Sequence, residues 1–135
     1  MKKIIAAVII STSLSGCALI DAYFMAKYDT TEYALVNDIK TKAQIAEENC
    51  GNHILVVTQV NELYIKSLEF KNFTTHIPRN KDADNMSTKL LILTKDTRDY
   101  FNKAEKISPI FCKVKLKQVV MSADTIQHVL GSKPR

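Results

Sequence analysis

Apolar residues recur at spacings of three and four through most of the chain, and this feature restricts the fold more than any other. Such spacing places apolar side chains on one face of an α-helix, whereas a half-buried strand needs strict alternation. Glycine and proline are scarce, with 3 of each in 135 residues, so few positions can interrupt a helix. The sequence therefore predicts an all-α fold.

The first helix is predicted from a capping pattern. Asp29 is a typical N-cap acid and Glu32 stands three residues later, so helix 1 should begin near Thr30. Gly51 is suited to end it, because glycine readily adopts the left-handed conformation after a helix. The apolar seam of helix 1 comprises Tyr33, Val36, Ile39, Ala43, Ala46 and Cys50.

The last helix also has clear boundaries. Ser108 is an N-cap residue and Pro109 suits the first helical position, so helix 3 should stop and helix 4 begin there. Gly131 is expected to end helix 4. Its apolar seam comprises Cys112, Leu116, Val119, Ala123, Ile126 and Leu130.

The two middle helices are predicted from spacing alone. Helix 2 should run from about His53 to Thr74, and one long loop should follow as far as Asp84. The predicted buried face of helix 2 comprises Ile54, Val57, Val60, Tyr64 and Leu68. The predicted stripe of helix 3 comprises Met86, Leu90, Leu93, Thr97, Tyr100, Ala104 and Ile107.

The predicted helices have nearly equal lengths, about 21 to 23 residues each, and short, long and short connections join them. Equal helices with tight connections favour an antiparallel up-down-up-down four-helix bundle, in which every apolar seam is buried. A three-helix arrangement, with one helix packed against a partner, is the structural alternative.

The first seventeen residues form a separate pattern. Lys2 and Lys3 precede a short apolar run, residues 4–10, and a small polar stretch, which is the layout of a secretory signal. The run is too short to span a bilayer, which requires about 20 residues. The following Leu14-Ser15-Gly16-Cys17 resembles the lipobox of bacterial lipoproteins, and all four positions match.

This resemblance implies cleavage before Cys17 and a lipid on its thiol, which would anchor the chain in a membrane. The expected division is a signal peptide in residues 1–16, a lipidated membrane-proximal segment in residues 17–28 and a helical domain in residues 29–135. Ala18 follows the cysteine in place of a retaining aspartate, which implies an outer-membrane lipoprotein that faces the periplasm. In a bacterium with a single membrane, the domain would lie on the cell exterior.

The other two cysteines test the predicted topology. In an up-down-up-down bundle helix 1 ends where helix 4 begins, so Cys50 and Cys112 should lie close together. An oxidising compartment favours bonded cysteines, so we expect a Cys50–Cys112 disulfide at the membrane-distal end. Two buried thiols are the alternative.

No pattern of catalytic or metal-binding residues is recognisable. His53, His76 and His128 are far apart in sequence and form no known ligand motif. The stretch from Asp82 to Asn85 lacks the glycine and the glutamate of a calcium loop, so its acids should instead favour the N-terminus of helix 3. We expect no catalytic residue, no metal and no cofactor.

Charge is distributed unevenly along the chain. The precursor carries a net charge of +5, which falls to +3 without residues 1–16 and does not indicate nucleic-acid binding. Five lysines should crowd the membrane-distal corner, namely Lys103, Lys106, Lys113, Lys115 and Lys117. They could meet anionic peptidoglycan or an acidic envelope protein. Alternatively, the basic helix 4 merely complements the acidic helix 1.

These features predict a membrane-anchored lipoprotein whose helical domain is a non-catalytic envelope interaction module. A phage- or plasmid-encoded exclusion or lysis lipoprotein that acts on the host envelope is the alternative. An enzyme with an unrecognised site is the third hypothesis.

Overall fold

The computed structural model describes residues 25–135, so the predicted signal peptide, Cys17 and most of the segment after it lie outside the described residues. Four α-helices follow one another, namely α1 (Thr30–Glu48), α2 (His53–Thr75), α3 (Lys81–Lys103) and α4 (Pro109–Gly131). No strand occurs in residues 25–135. The predicted all-α fold is therefore confirmed.

The helices form a ring in the order α1, α2, α3, α4. Each helix packs against its two neighbours, whereas no Cα atoms of the diagonal pairs lie within 8 Å of each other in the described part of the chain. Packing is most extensive between α1 and α4 and sparsest between α3 and α4. Because only residues 49–52, 76–80 and 104–108 connect the helices, successive helices are antiparallel. The up-down-up-down bundle is thus confirmed.

Side-chain caps fix the starts of three helices. Asp29 accepts from the backbone N–H of Glu32 at 2.8 Å, as predicted. Asn52 and Ser108 cap α2 and α4 in the same way, each at 3.1 Å. Such caps satisfy N–H groups that have no partner within the helix.

The predicted seams of α1 and α4 form most of one side of the core. Both helices are amphipathic enough for the spacing of apolar residues to define a single face. The buried residues are Val36, Ile39, Ala43 and Ala46 on α1, with Cys112, Leu116, Val119, Ala123, Ile126 and Leu130 on α4. Tyr33 is half-buried and packs against this core.

The predicted buried face of α2 was wrong in part. Ile54 and Leu68 are exposed, although Val60 is buried as expected. The residues that face the core are Val56, Val60, Leu63, Ser67, Phe70 and Thr74. Because α2 carries apolar residues on all sides, its spacing fits more than one face, and packing against α1 and α3 decides between them.

The face of α3 was also predicted only in part. Tyr100 is exposed, and the buried residues are Ala83, Ser87, Leu90, Thr94, Thr97 and Phe101. Thr94 donates to the carbonyl of Leu90 at 3.1 Å, and Thr97 donates to that of Leu93 at 2.8 Å. These bonds satisfy the hydroxyls, so small polar residues can occupy the core.

Two boundaries of α3 differ from the prediction. The loop before it is short, because α3 begins at Lys81, and the turn contains Arg79 at a φ of 62°. The helix ends at Lys103 and does not reach Ile107.

Gly51 lies in the α1–α2 connection without a positive φ, so it does not close α1 in the predicted way.

The predicted disulfide is present. Cys50, just after α1, is bonded to Cys112 in the first turn of α4, and their Cα atoms are 5.7 Å apart. Both residues are buried. The bridge closes 62 residues of sequence and fixes one end of the bundle.

Candidate interaction surface at the disulfide end

The two ends of the bundle have different chemistry. We use "disulfide end" for the end where α1 and α3 stop and α2 and α4 begin, next to Cys50 and Cys112. We use "tail end" for the opposite end, where α1 and α3 begin and residues 132–135 follow α4. The antiparallel arrangement assigns every helix terminus to one of these two ends.

Two isoleucines at the disulfide end are almost fully exposed. Ile54 is the second residue of α2 and Ile110 is the second residue of α4, with exposed fractions of 79% and 78%. Side chains tilt towards the N-terminus of their helix, so both project at the disulfide end. Exposed aliphatic side chains at one end of a domain are candidates for an interaction surface.

An aromatic pair lies at the same end of the bundle. Tyr100 in the last turn of α3 packs against Phe111 in the first turn of α4, with ring centroids 4.8 Å apart. The ammonium of Lys115 stands 5.6 Å from the centre of the Phe111 ring. Tyr100 keeps about half of its surface exposed. The disulfide end therefore presents aromatic as well as aliphatic surface.

The five lysines that we predicted as an interaction surface all belong to this half of the bundle. Lys103 ends α3, Lys106 lies in the α3–α4 connection, and the other three belong to the first three turns of α4. Four are exposed, whereas Lys115 is half-buried against Phe111. None of the five takes part in an ion pair within residues 25–135.

Acids of α1 lie on one side of this surface. Glu47, Glu48 and Lys113 line the same groove between α1 and α4. The ion pair that joins these helices has the opposite sense, because Lys40 of α1 binds Asp124 of α4. The alternative explanation was that the positive charges of α4 only balance the negative charges of α1. It accounts for the position of Lys113, which is near acids of α1, more readily than for the positions of Lys103 and Lys106.

At the tail end, three polar side chains form a buried cluster that the sequence did not predict. Lys133 donates to Glu32 and to Asn80, both at 2.6 Å. Asn80 also donates to the other carboxylate oxygen of Glu32 at 2.6 Å. Glu32 is fully buried, and Asn80 and Lys133 are nearly so. Each charge is paired and bonded, as burial requires.

This cluster corrects the role that the capping pattern assigned to Glu32. The Asp29 half of the predicted capping box is present, but the Glu32 carboxylate points to Asn80 and Lys133. Asn80 in turn makes no side-chain cap for α3, because its amide is committed to the cluster. Asp82 and Asp84 occupy the first turn of α3, where their negative charges interact favourably with the helix dipole, as predicted.

The tail after α4 returns to the segment before α1. The backbone N–H of Tyr28 donates to the carbonyl of Pro134 at 2.8 Å, and the Arg135 guanidinium lies over the Tyr28 ring. A groove of about 410 Å³ beside the cluster is lined by Met25, Ala26, Arg79, Asn80, Lys81, Asp82, Ala83, Val129 and Lys133. Contacts within the chain thus hold the tail against the segment before α1.

Among residues 25–135, three carboxylates have clearly lowered pKa values. Hydrogen bonds from Lys95 and Arg98 lower the pKa of Asp99 from 3.8 to about 2. A hydrogen bond from Lys71, with a second from Thr75, lowers the pKa of Asp84. The Lys40 ammonium lowers the pKa of Asp124. Each shift comes from an ion pair on the outside of the bundle, not from a catalytic pocket.

The described residues contain neither a metal-ligand cluster nor a helix that could span a membrane. Within residues 25–135 no group of three or more His, Cys, Asp or Glu side chains is placed to hold a metal ion. No helix in that range is long and apolar enough to cross a membrane. Comparisons with protein-family models, curated proteins and solved structures found no match to the chain.

Proposed function

We propose that this chain is an envelope lipoprotein, anchored through Cys17, whose helical domain acts by binding and not by catalysis. The lipobox Leu14-Ser15-Gly16-Cys17 supports the anchor. The tail end lies next to the predicted anchor, because Tyr28 and the start of α1 belong to it. The disulfide end is then presented away from the membrane that holds the lipid. Ala18 after the cysteine, in place of a retaining aspartate, supports the outer membrane as the site of attachment.

One observation carries the binding role. Ile54 and Ile110 are exposed at the same end as lysines that form no ion pair within the described residues. Several lysines elsewhere in the bundle are paired, as in Lys71 with Asp84 and Lys95 with Asp99, whereas this end groups five that are not. Exposed apolar and cationic groups on a cross-linked end favour an interaction surface for an envelope component.

The anchor is tested by mass spectrometry of the chain purified from membranes. We expect a mature N-terminus at Cys17 that carries acyl chains and partitions with the membrane fraction. A Cys17→Ser variant should lack the lipid and leave the membrane fraction. A wild-type chain that keeps residues 1–16, or carries no lipid on Cys17, would contradict the proposed anchor.

The binding surface is tested by acylating lysines in intact cells and in the purified chain. We expect Lys103, Lys106, Lys113 and Lys117 to react several-fold more slowly in cells, because the docked partner covers them. Lys81 at the tail end is an exposed control and should react alike in both. Equal reactivity of all these lysines in cells and in solution would rule out docking at the disulfide end.

A further inference from the structure

We infer that the disulfide end docks on the surface of a second bilayer that contains anionic phospholipids. This inference rests on the proposed function, because it names the partner of the same surface. The observation that carries it is that the disulfide end bears two exposed isoleucines, Ile54 and Ile110, which we call the aliphatic tip, together with an aromatic pair and a group of lysines. Each of these three components has a counterpart in a bilayer interface.

The aliphatic tip suits the boundary between headgroups and acyl chains. Ile54 and Ile110 are the second residues of the parallel helices α2 and α4 at the disulfide end. Neither isoleucine lines the groove between α1 and α4 at this end, to which Glu47, Glu48 and Lys113 contribute. Exposed apolar side chains outside that groove suit a deformable lipid surface, whereas binding of a sugar polymer or a peptide usually requires a cleft.

The aromatic and basic side chains suit the headgroup layer. Tyrosine concentrates at membrane interfaces, where its ring meets apolar chains and its hydroxyl meets water. Lysines extend an apolar stem along the surface and place their ammonium groups among phosphates. Lys103 and Lys106 follow Tyr100 by three and six residues, and Lys113 follows Ile110 by three. The cations therefore belong to the same end of the bundle as the exposed apolar side chains.

Three acids lie at the same end as the five lysines. Glu47 and Glu48 lie at the end of α1, and Glu105 lies in the α3–α4 connection among the lysines. Because the lysines outnumber these acids, an anionic surface attracts the disulfide end as a whole. Helices of 23 residues are about 35 Å long, so the disulfide end is far from the tail end. This separation favours a bilayer other than the one that holds the lipid.

The test uses the full mature chain, purified from membranes and reconstituted in neutral phosphatidylcholine vesicles. Labelled acceptor vesicles contain either phosphatidylcholine alone or about one third phosphatidylglycerol. We expect the chain to capture phosphatidylglycerol vesicles at least roughly tenfold better than neutral ones, and added salt should abolish the difference. Capture is measured by co-flotation of the two vesicle populations.

Variants separate the apolar from the basic contribution. Ile54→Ser with Ile110→Ser should reduce capture at least roughly tenfold, since both side chains would insert. Each lysine lost among Lys103, Lys106 and Lys113 should reduce capture about fivefold. The matched control is Ile65→Ser with Ile92→Ser, which changes two isoleucines that are also exposed but lie along the sides of α2 and α3. All variants should keep the helical circular dichroism of the wild type, because the changed residues are exposed.

The outcomes separate this inference from the proposed function. If the chain is anchored and its lysines are covered in cells, but phosphatidylglycerol vesicles are not captured, the lipid partner is wrong and an acidic envelope protein or peptidoglycan takes its place. Equal capture of neutral and anionic vesicles contradicts the role of the lysines. Equal loss in the control pair contradicts the role of the tip. A chain that does not reconstitute at all refutes the anchor itself.

Discussion

At the disulfide end a covalent bond joins α1 to α4, whereas at the tail end a buried ion pair joins the same two helices. Cys50 bonds to Cys112, and Glu32 of α1 binds Lys133 just after α4. These are the first and last helices, and no connection of the chain holds them side by side. Within residues 25–135, the two helices that are most distant in sequence are therefore held together at both ends, by a disulfide at one end and by an ion pair at the other.

The two ends differ more in what they leave exposed. The second residues of the helices that begin at the tail end are Thr31 and Asp82, whereas those at the disulfide end are Ile54 and Ile110. At the tail end the nearby charge of Lys133 is buried and paired. The tail end thus buries and pairs a charge, whereas the disulfide end leaves two isoleucines exposed at the starts of its helices.

Loss of the disulfide should have the largest effect on stability. Cys50→Ser with Cys112→Ser opens a loop of 62 residues and should lower the free energy of unfolding by about 4 kcal/mol. Urea unfolding of the oxidised wild type, the reduced wild type and the variant measures this effect. If all three unfold at the same urea concentration, the bridge does not stabilise this end.

Breaking the tail-end cluster should have the next largest effect, and it should depend on which partner is removed. Lys133→Met leaves the Glu32 carboxylate buried in α1 without its cation, which should cost about 3 kcal/mol. Glu32→Gln should cost less, about 1 kcal/mol, because Lys133 lies on the tail and can turn into solvent. Urea unfolding compares the two variants with the wild type.

A nearby substitution and a double variant control this prediction. Arg135→Met alters the same tail without touching the cluster, since Arg135 contacts only the Tyr28 ring among the contacts seen in residues 25–135, so it should change stability little. Glu32→Gln combined with Lys133→Met should be more stable than Lys133→Met alone, because no charge is left buried without a partner. The opposite ranking would show that the ion pair does not hold the tail end.

The same contrast explains how much the sequence could predict. α1 and α4 were predicted well because one face of each is apolar, as Val36, Ile39 and Leu116 illustrate. The disulfide followed from two cysteines and the topology. α2 is apolar on every side, so the exposure of Ile54 could not be predicted from spacing, and it became visible only when the packing of the helices was known.

The tail-end cluster lay beyond any linear pattern. In sequence, Asn80 follows Glu32 by 48 positions and Lys133 follows Glu32 by 101 positions. In sequence, Glu32 fits a capping box and Lys133 fits a solvated tail, and both patterns are satisfied without a buried pair. Only the return of residues 132–135 to Tyr28 brings the three side chains together. Topology predicted which ends would meet, but not which side chains would be buried there.

The smallest expected effect is a response to acid that compares one carboxylate from each end of α3. Asp99, towards the disulfide end, has a pKa of about 2, and the pKa of Asp84, towards the tail end, is also lowered. A folded-state pKa below the ordinary value means that stabilisation is present above about pH 4. For Asp99 it should be lost as the pH falls through about 2.

Carboxyl NMR titration measures both values, and urea unfolding at several pH values measures the linked stability. Asp99→Asn should remove part of the acid-dependent decrease, whereas Asp96→Asn, an exposed neighbour outside the ion pairs found in residues 25–135, should not. Because these pairs are exposed, the effect should be smaller than that of either fastening between α1 and α4. An acid-induced loss as large as that of Lys133→Met would mean that the surface pairs of α3, and not the two ends, hold the bundle together.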